Sequence, residues 1–277
     1  MTEASKLSHI AKDPQPARER VTFMGLVSDY YGIWLVNILL SILTIGIYSA
    51  WAKVRTQRFF LNNTSVFDSN FNYHATGMML LKGRLIVIAM IILADLMQTI
   101  FPGIAVVIAL AFIAFYPWAL HRSIAFNGRM TSWRDVRFSW HGQLGTAYLH
   151  FLIYPLLVVL TSLITLPMFT RSMQEYLVNH YSLGKRKFFA KTKTSSYYRA
   201  AFMALGFVFL SFVLILLLLM LFVAISAIHT ILDHENAAGY VVSVWMFAII
   251  SIILSIFIGT NFYFTFTRNI IINATTL

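Results

Sequence analysis

At 277 residues, with 59% hydrophobic and 11% charged side chains and a mean hydropathy of +0.74, the chain lies outside the range of soluble domains, where about a quarter of residues are charged. The absence of cysteine removes disulfide frameworks, thiolate metal sites and cysteine nucleophiles. The formal charge of +11 comes from Lys and Arg in short segments flanking apolar runs, which points to anionic lipid headgroups as partners and away from nucleic acid.

Residues 1–20 read as a cytoplasmic polar tail, with Pro14, Pro16 and mixed charges and no apolar core followed by a cleavage site. From 21 to 277 the sequence predicts a single membrane domain. Crossing a bilayer takes about 20 apolar residues, and six segments meet that length: 30–52, 80–101, 103–120, 147–169, 200–228 and 238–266. The second and third are joined only by Phe101-Pro102-Gly103, which predicts a tight helical hairpin. Aromatic residues collect near the segment ends (Tyr30, Tyr31 and Trp34; Tyr48 and Trp51; Tyr116 and Trp118; Tyr263), at headgroup level. The expected fold is an all-α polytopic membrane protein with about six apolar helices and short β-hairpin-like interfacial segments.

Between apolar runs one pattern recurs. Gly46 is followed by Tyr48, Trp51, Arg58, Asn62 and the alternating Phe71-Asn-Tyr73; Pro117 by Trp118, Arg122, Asn127 and Phe138-Ser-Trp140. Pro167 is followed by Arg171, Asn179 and Phe188-Phe189, and Gly259 by Tyr263, Arg268 and Asn273. The pattern predicts tandem units of about 21–70, 71–137, 138–187 and 188–277, the first and third with one apolar segment and the others with two. Each Asn would cap or turn the chain into a short strand, and each Arg would turn to headgroup phosphate or another anion.

The run LTIGIYSAWAKVRTQRFFLNNT followed by FNYHATGMMLLKGRLI resembles the bacterial inner-membrane family catalogued as domain of unknown function 898, the YjgN-like proteins. The resemblance extends over nearly the whole chain after residue 20. It implies a multi-pass inner-membrane protein and carries no known activity, cofactor or catalytic residue. The third unit departs from the pattern, with Pro167 for Gly and Tyr181 for Thr.

Two arrangements follow from charge and length. If all six segments span, twelve Lys and Arg fall on the cytoplasmic side and nine outside, a weak bias. If 30–52 and 147–169 instead enter and leave on one face, broken near Gly46 and near Pro155 or Pro167, all 21 basic residues are cytoplasmic. Length favours spanning, since Tyr31 to Tyr48 covers about 26 Å as a helix; charge favours re-entry. Both place the two termini in the cytoplasm.

Among candidate functional residues, Asp95 is an intramembrane carboxylate with Gln98 on the same helical face, which suggests a polar cavity or, near the Phe101 tip, a simple interfacial site. Asn37 suits a bond across a helix interface. His229, Asp233, His234 and Glu235 have too little ligand spacing to set against a polar hairpin cap, and no metal is expected. No nucleotide-binding or hydrolase motif occurs, so the expected function is non-enzymatic and cofactor-free. A transporter or channel-like protein for a small solute or ion is the leading expectation, and a membrane-organising, lipid-binding scaffold the alternative.

Overall fold

The computed structural model describes residues 21–233 and 237–276. They form two units: residues up to Phe112 together with Arg122–Trp140, and Ile113–His121 together with residues from His141 onward.

In the first unit, strand β1 (Thr22–Phe23) leads into helix α1 (Val27–Leu43), which reverses into α2 (Ser49–Asn62). The segment 30–52, long enough by composition for one span, is therefore two antiparallel helices. The reversal has a local cause. The Gly46 N–H bonds the Ser41 carbonyl at 2.7 Å, Thr44 caps through its hydroxyl to the Leu40 carbonyl at 2.7 Å, and both Ile45 (φ 50°) and Gly46 (φ 84°) are left-handed, a conformation that ends an α-helix. The open ends of the hairpin are tied together by the Met24 N–H to the Asn63 carbonyl at 2.9 Å and by Phe23 and Tyr30 against Phe59 and Phe60.

Strands β2 (Thr64–Val66), β3 (Ser69–Tyr73), β4 (Thr131–Trp133) and β5 (Val136–Trp140) continue an antiparallel meander from β1. Its two-residue turns, Phe67-Asp68 and Arg134-Asp135, are left-handed at both positions, the form whose twist matches flanking strands. Phe71 pairs with Trp133 and Tyr73 with Thr131. The short hairpin-like segments expected from the aromatic alternation thus pair with one another into a sheet.

Between β3 and β4 run α3 (Gly77–Ile100) and α4 (Ala105–Met130), joined by a short 3-10 turn at Pro102–Ile104. At about 1.5 Å per residue the 24 residues of α3 reach about 36 Å, enough to cross a hydrocarbon core of about 30 Å.

The second unit contains α5 (Leu144–Leu160), with a π-helical stretch at Leu149–Ile153, then α6 (Leu166–Asn179). Strands β6 (Tyr181–Leu183) and β7 (Arg186–Lys187) form a hairpin, and β8 (Phe189–Ala190) pairs with β9 (Thr275–Thr276). Long helices α7 (Thr194–Asp233) and α8 (Ala237–Ala274) pack antiparallel through Phe207 on Phe262 and Phe222 on Phe247. Segment 147–169 is also broken, at Thr161–Thr165. There the Leu163 N–H bonds the Val158 carbonyl at 2.8 Å, and Ser162 and Leu163 are left-handed. Neither proline makes the break: Pro155 lies inside α5, and Pro167 sits in the first turn of α6, where its missing N–H costs nothing.

Helices α1 and α5, α2 and α6, and strands β2 and β6 share one constant offset of 117 residues (27 to 144, 49 to 166, 64 to 181). The hydrogen bonds of the two reversals match at the same shift, step for step.

Four stretches are long and apolar enough to cross a membrane: Gly77–Ile100, Pro102–Met130, Thr194–Ile225 and Val244–Ala274. Six segments were expected; the remaining two are the broken ones.

Candidate functional site

The hairpin of α1 and α2 holds the most distinctive polar constellation in the first unit. Asn37 projects from the apolar α1 and is 7% exposed. Its Nδ2 donates to the Ala52 carbonyl and to the Thr56 hydroxyl, both at 3.4 Å, so the amide crosses the helix interface. Its Oδ1 is buried and meets no donor. Beside it a groove of 450 Å³ is lined by Trp34, Ile38, Ser41, Ile42, Lys53 and Thr56. At the hairpin tip Arg84 of α3 donates to the hydroxyl and, at 3.3 Å, to the carbonyl of Ser49. The tip itself is apolar and bare: Leu43, Ile45 and Ile47 are exposed, Ile45 to 94%.

A second cluster holds the start of α7. Arg171 grips Glu175 through Nε (3.2 Å) and an Nη (3.3 Å) and reaches the Thr194 hydroxyl at 2.5 Å. Glu175 Oε1 accepts from the Thr192 N–H at 2.6 Å and hydroxyl at 2.8 Å. Burial alone would raise the Glu175 carboxyl, but the Thr192 donors and the Arg171 guanidinium together hold it below the usual carboxylate range. Tyr197 donates to Gln174 at 2.8 Å and Tyr263 to Thr170 at 3.0 Å, joining α6 to both long helices. In the first unit Arg58 does the corresponding work, donating to the Tyr73 carbonyl at 3.3 Å and the Ala75 carbonyl at 2.9 Å. At the offset of 117, Arg58 corresponds to Glu175 and Ala75 to Thr192. A cation gripping a carbonyl has become a carboxylate gripping an N–H.

Further along α5 and α6, His150 is buried between the Thr146 carbonyl (2.9 Å) and the Ser172 hydroxyl (3.0 Å) and stacks on Tyr176 at 4.4 Å. Burial pushes the Tyr176 phenol up to about 12.

The structure sorts the sequence-derived candidates by surroundings. Asp95 and Gln98 are exposed on α3; the Thr99 hydroxyl donates to the Asp95 carbonyl at 3.0 Å. Arg58 and Arg171 make the bonds just given; Arg122, which also has a partner, and Arg268 lie at exposed positions. Asn179 brackets Ala190, donating to its carbonyl at 3.1 Å and accepting from its N–H at 2.6 Å, and so leads the chain into β8. Asn127 accepts from the Tyr73 hydroxyl at 3.3 Å. Asn62 and Asn273 are exposed. The side chains of His229, Asp233, His234 and Glu235 and the tail 1–20 lie outside the described residues. Sequence reading passed over Lys53 as a groove residue and over the bond between Arg84 and Ser49; the groove depends on the reversal at Thr44, for which Gly46 was the available signal.

Long apolar helices, a small sheet and helical hairpins with apolar tips and basic flanks define an α-helical membrane-protein class with a strand-built surface. The chain belongs to the family of bacterial proteins of unknown function DUF898, whose model matches residues 18–277. It is 30% identical over 147 residues to a protein of Salmonella typhimurium strain LT2 named inner membrane protein YjgN, covering 53% of this chain and 37% of that one. It is likewise 30% identical over 125 residues to the proteins of that name in Escherichia coli O157:H7 and K12, covering 43% of this chain and 30% of theirs. The chain thus matches about a third of the length of these curated relatives. No solved structure matches it.

Proposed function

We propose that this protein is a non-enzymatic, multi-pass protein of the bacterial inner membrane that binds anionic lipid headgroups and organises the cytoplasmic leaflet, its two helical hairpins dipping into that leaflet from the cytoplasmic side. One observation carries the reading. Ile45, β-branched and in a left-handed conformation that costs such a residue about 1–2 kcal/mol, is 94% exposed at a reversal. A side chain held there against its own preference gains nothing from packing in the protein; acyl chains supply the medium in which its burial is favourable.

Charge supports the same placement, because re-entrant hairpins leave all 21 Lys and Arg on the cytoplasmic side together with both termini. The relatives' name supports the inner membrane. The order strand–helix–helix–strand, met four times near the boundaries 21–70, 71–137, 138–187 and 188–277, supports descent from one repeated unit. Transport is motivated by possible inverted repeats, broken helices and Asp95; the described residues build no polar cluster around Asp95 or its neighbour Gln98.

Because the chain has no native cysteine, single-cysteine labels give a clean test. A fluorophore at Ile45→Cys will be quenched by lipids brominated on their acyl chains, and Asp68→Cys will react with an impermeant maleimide only from the cytoplasmic side. Labelling of Asp68→Cys from the periplasm, or an unquenched fluorophore at position 45, would overturn the placement.

A further inference from the structure

We infer that the groove between α1 and α2 binds one anionic phospholipid, with Lys53 on its phosphate and Asn37 on a headgroup hydroxyl; this rests on the leaflet placement proposed above. The groove holds 450 Å³ and is open, and no acidic side chain lines it. Its residues are graded along the hairpin. Trp34 and Thr56 lie toward the sheet, Asn37 and Lys53 come next, and Ser41 and Ile42 lie toward the apolar tip, as the contacts of Tyr30 with Phe59 and Phe60 at the base and the reversal at Thr44 require. With the tip in acyl chains, Trp34, the cation and the donors lie at headgroup level and Ile42 lies below them, as a lipid places its phosphate above its chains.

Asn37 adds an observation independent of charge. An acceptor this deeply buried normally has a donor, and Oδ1 has none, while Nδ2 is already committed to Ala52 and Thr56. Turning the amide over would set its oxygen against the Ala52 carbonyl, so neither orientation satisfies the whole amide within the protein. A phosphatidylglycerol headgroup carries both the phosphodiester for Lys53 and hydroxyls for Oδ1; phosphatidylcholine carries the first alone.

The second hairpin shows what the same frame looks like without a site. At the offset of 117, Asn37 and Ala52 correspond to Tyr154 and Phe169, which meet edge to face with centroids 6.4 Å apart, and Lys53 corresponds to the buried Thr170. Aromatic rings occupy one hairpin where the other keeps a polar amide and a cation.

The test is native mass spectrometry of the full chain in micelles titrated with phosphatidylglycerol or phosphatidylcholine. One phosphatidylglycerol should bind in preference to phosphatidylcholine. Lys53→Ala should weaken it about tenfold, the size of one lost charge-assisted bond, and Arg55→Ala, exposed on the same helix outside the groove, should leave it unchanged. The double change Asn37→Tyr with Ala52→Phe, which copies the packing of the second hairpin, should abolish it in a folded protein. Equal binding by wild type, Lys53→Ala and the double variant would overturn the site. Should Ile45→Cys still be quenched in that case, the leaflet placement stands and this site alone falls; a fluorophore at 45 outside the lipid sinks the placement whatever the mass spectra show.

Discussion

Replacing Gly77 with alanine will destabilise the protein by about 1–3 kcal/mol, the usual cost of forcing extra volume into a packed contact. Gly77 opens α3 directly against the indole of Trp51, and a Cβ there would fall inside the contact distance of three ring atoms near the root of that side chain. The ring cannot swing away as the end of a long chain would, and Trp51 also stacks on Tyr48. Gly83, six residues on in the same helix, has open space where its Cβ would be. Alanine at 83 will therefore stabilise by about 0.5–1 kcal/mol through backbone entropy alone. Thermal denaturation of the purified variants in one detergent checks both signs. Equal shifts at the two positions would mean that α2 and α3 do not make this close approach.

Glu175→Leu will cost about 2–4 kcal/mol, since it strands a half-buried guanidinium and leaves the Thr192 N–H without its acceptor. The upper end is discounted because the Arg171 and Glu175 side chains keep 30% and 19% of their surface exposed. Glu175→Gln retains an oxygen for the Thr192 N–H and will cost less. The two variants also differ from wild type in pH response. A carboxyl held below its unfolded value contributes stability that is present above the unfolded pKa and is lost as pH falls through the folded one. Wild type will therefore lose stability on acidification through and below the ordinary carboxylate range more steeply than Glu175→Gln, and the two denaturation curves will converge at the acid end. Parallel curves would show that the carboxylate is not the titrating group. The Arg58 clamp, whose cation keeps its charge across this range, adds no such slope.

Much of this architecture is legible in residue order. Four long apolar stretches and the aromatic alternation around Phe71, Tyr73, Phe138 and Trp140 stand out in the chain and recur in the structure as helices and strands, and of the four spaced Asn residues Asn179 is seen to bracket a strand residue. The reversals are harder to read. Gly46 announces the first, but its left-handed neighbour is Ile45 and the second is built on Ser162 and Leu163, residues with no intrinsic preference for that region. Length then argues for one long helix, and the placement of the basic residues argues for re-entry. Spacing within the motif set Arg171 beside Arg58, while the helix register sets Glu175 there and Val54 beside Arg171. Motif matching rewards identical residues, and the clamp was kept by exchanging a donor for an acceptor. Lys53 was hidden for a related reason: as one cation in a basic segment it carries no signal until α2 folds back on α1.

The doubling back of α1 also bears on how such a chain is mapped. A helix of 17 residues, mostly apolar and about 25 Å long, is near the length that the insertion machinery accepts as a span. What folds it back is the remainder of the hairpin: the Asn37 bonds to Ala52 and Thr56 and the aromatic clasp of Phe23 and Tyr30 on Phe59 and Phe60. A reporter fused directly after Ile47 removes every one of those partners and frees α1 to cross. With the hairpins in the cytoplasmic leaflet as proposed, serial truncation would then record a periplasmic site that the complete protein does not present, and the same error would recur after Ile164. Full-length fusions and single-residue labels are free of it.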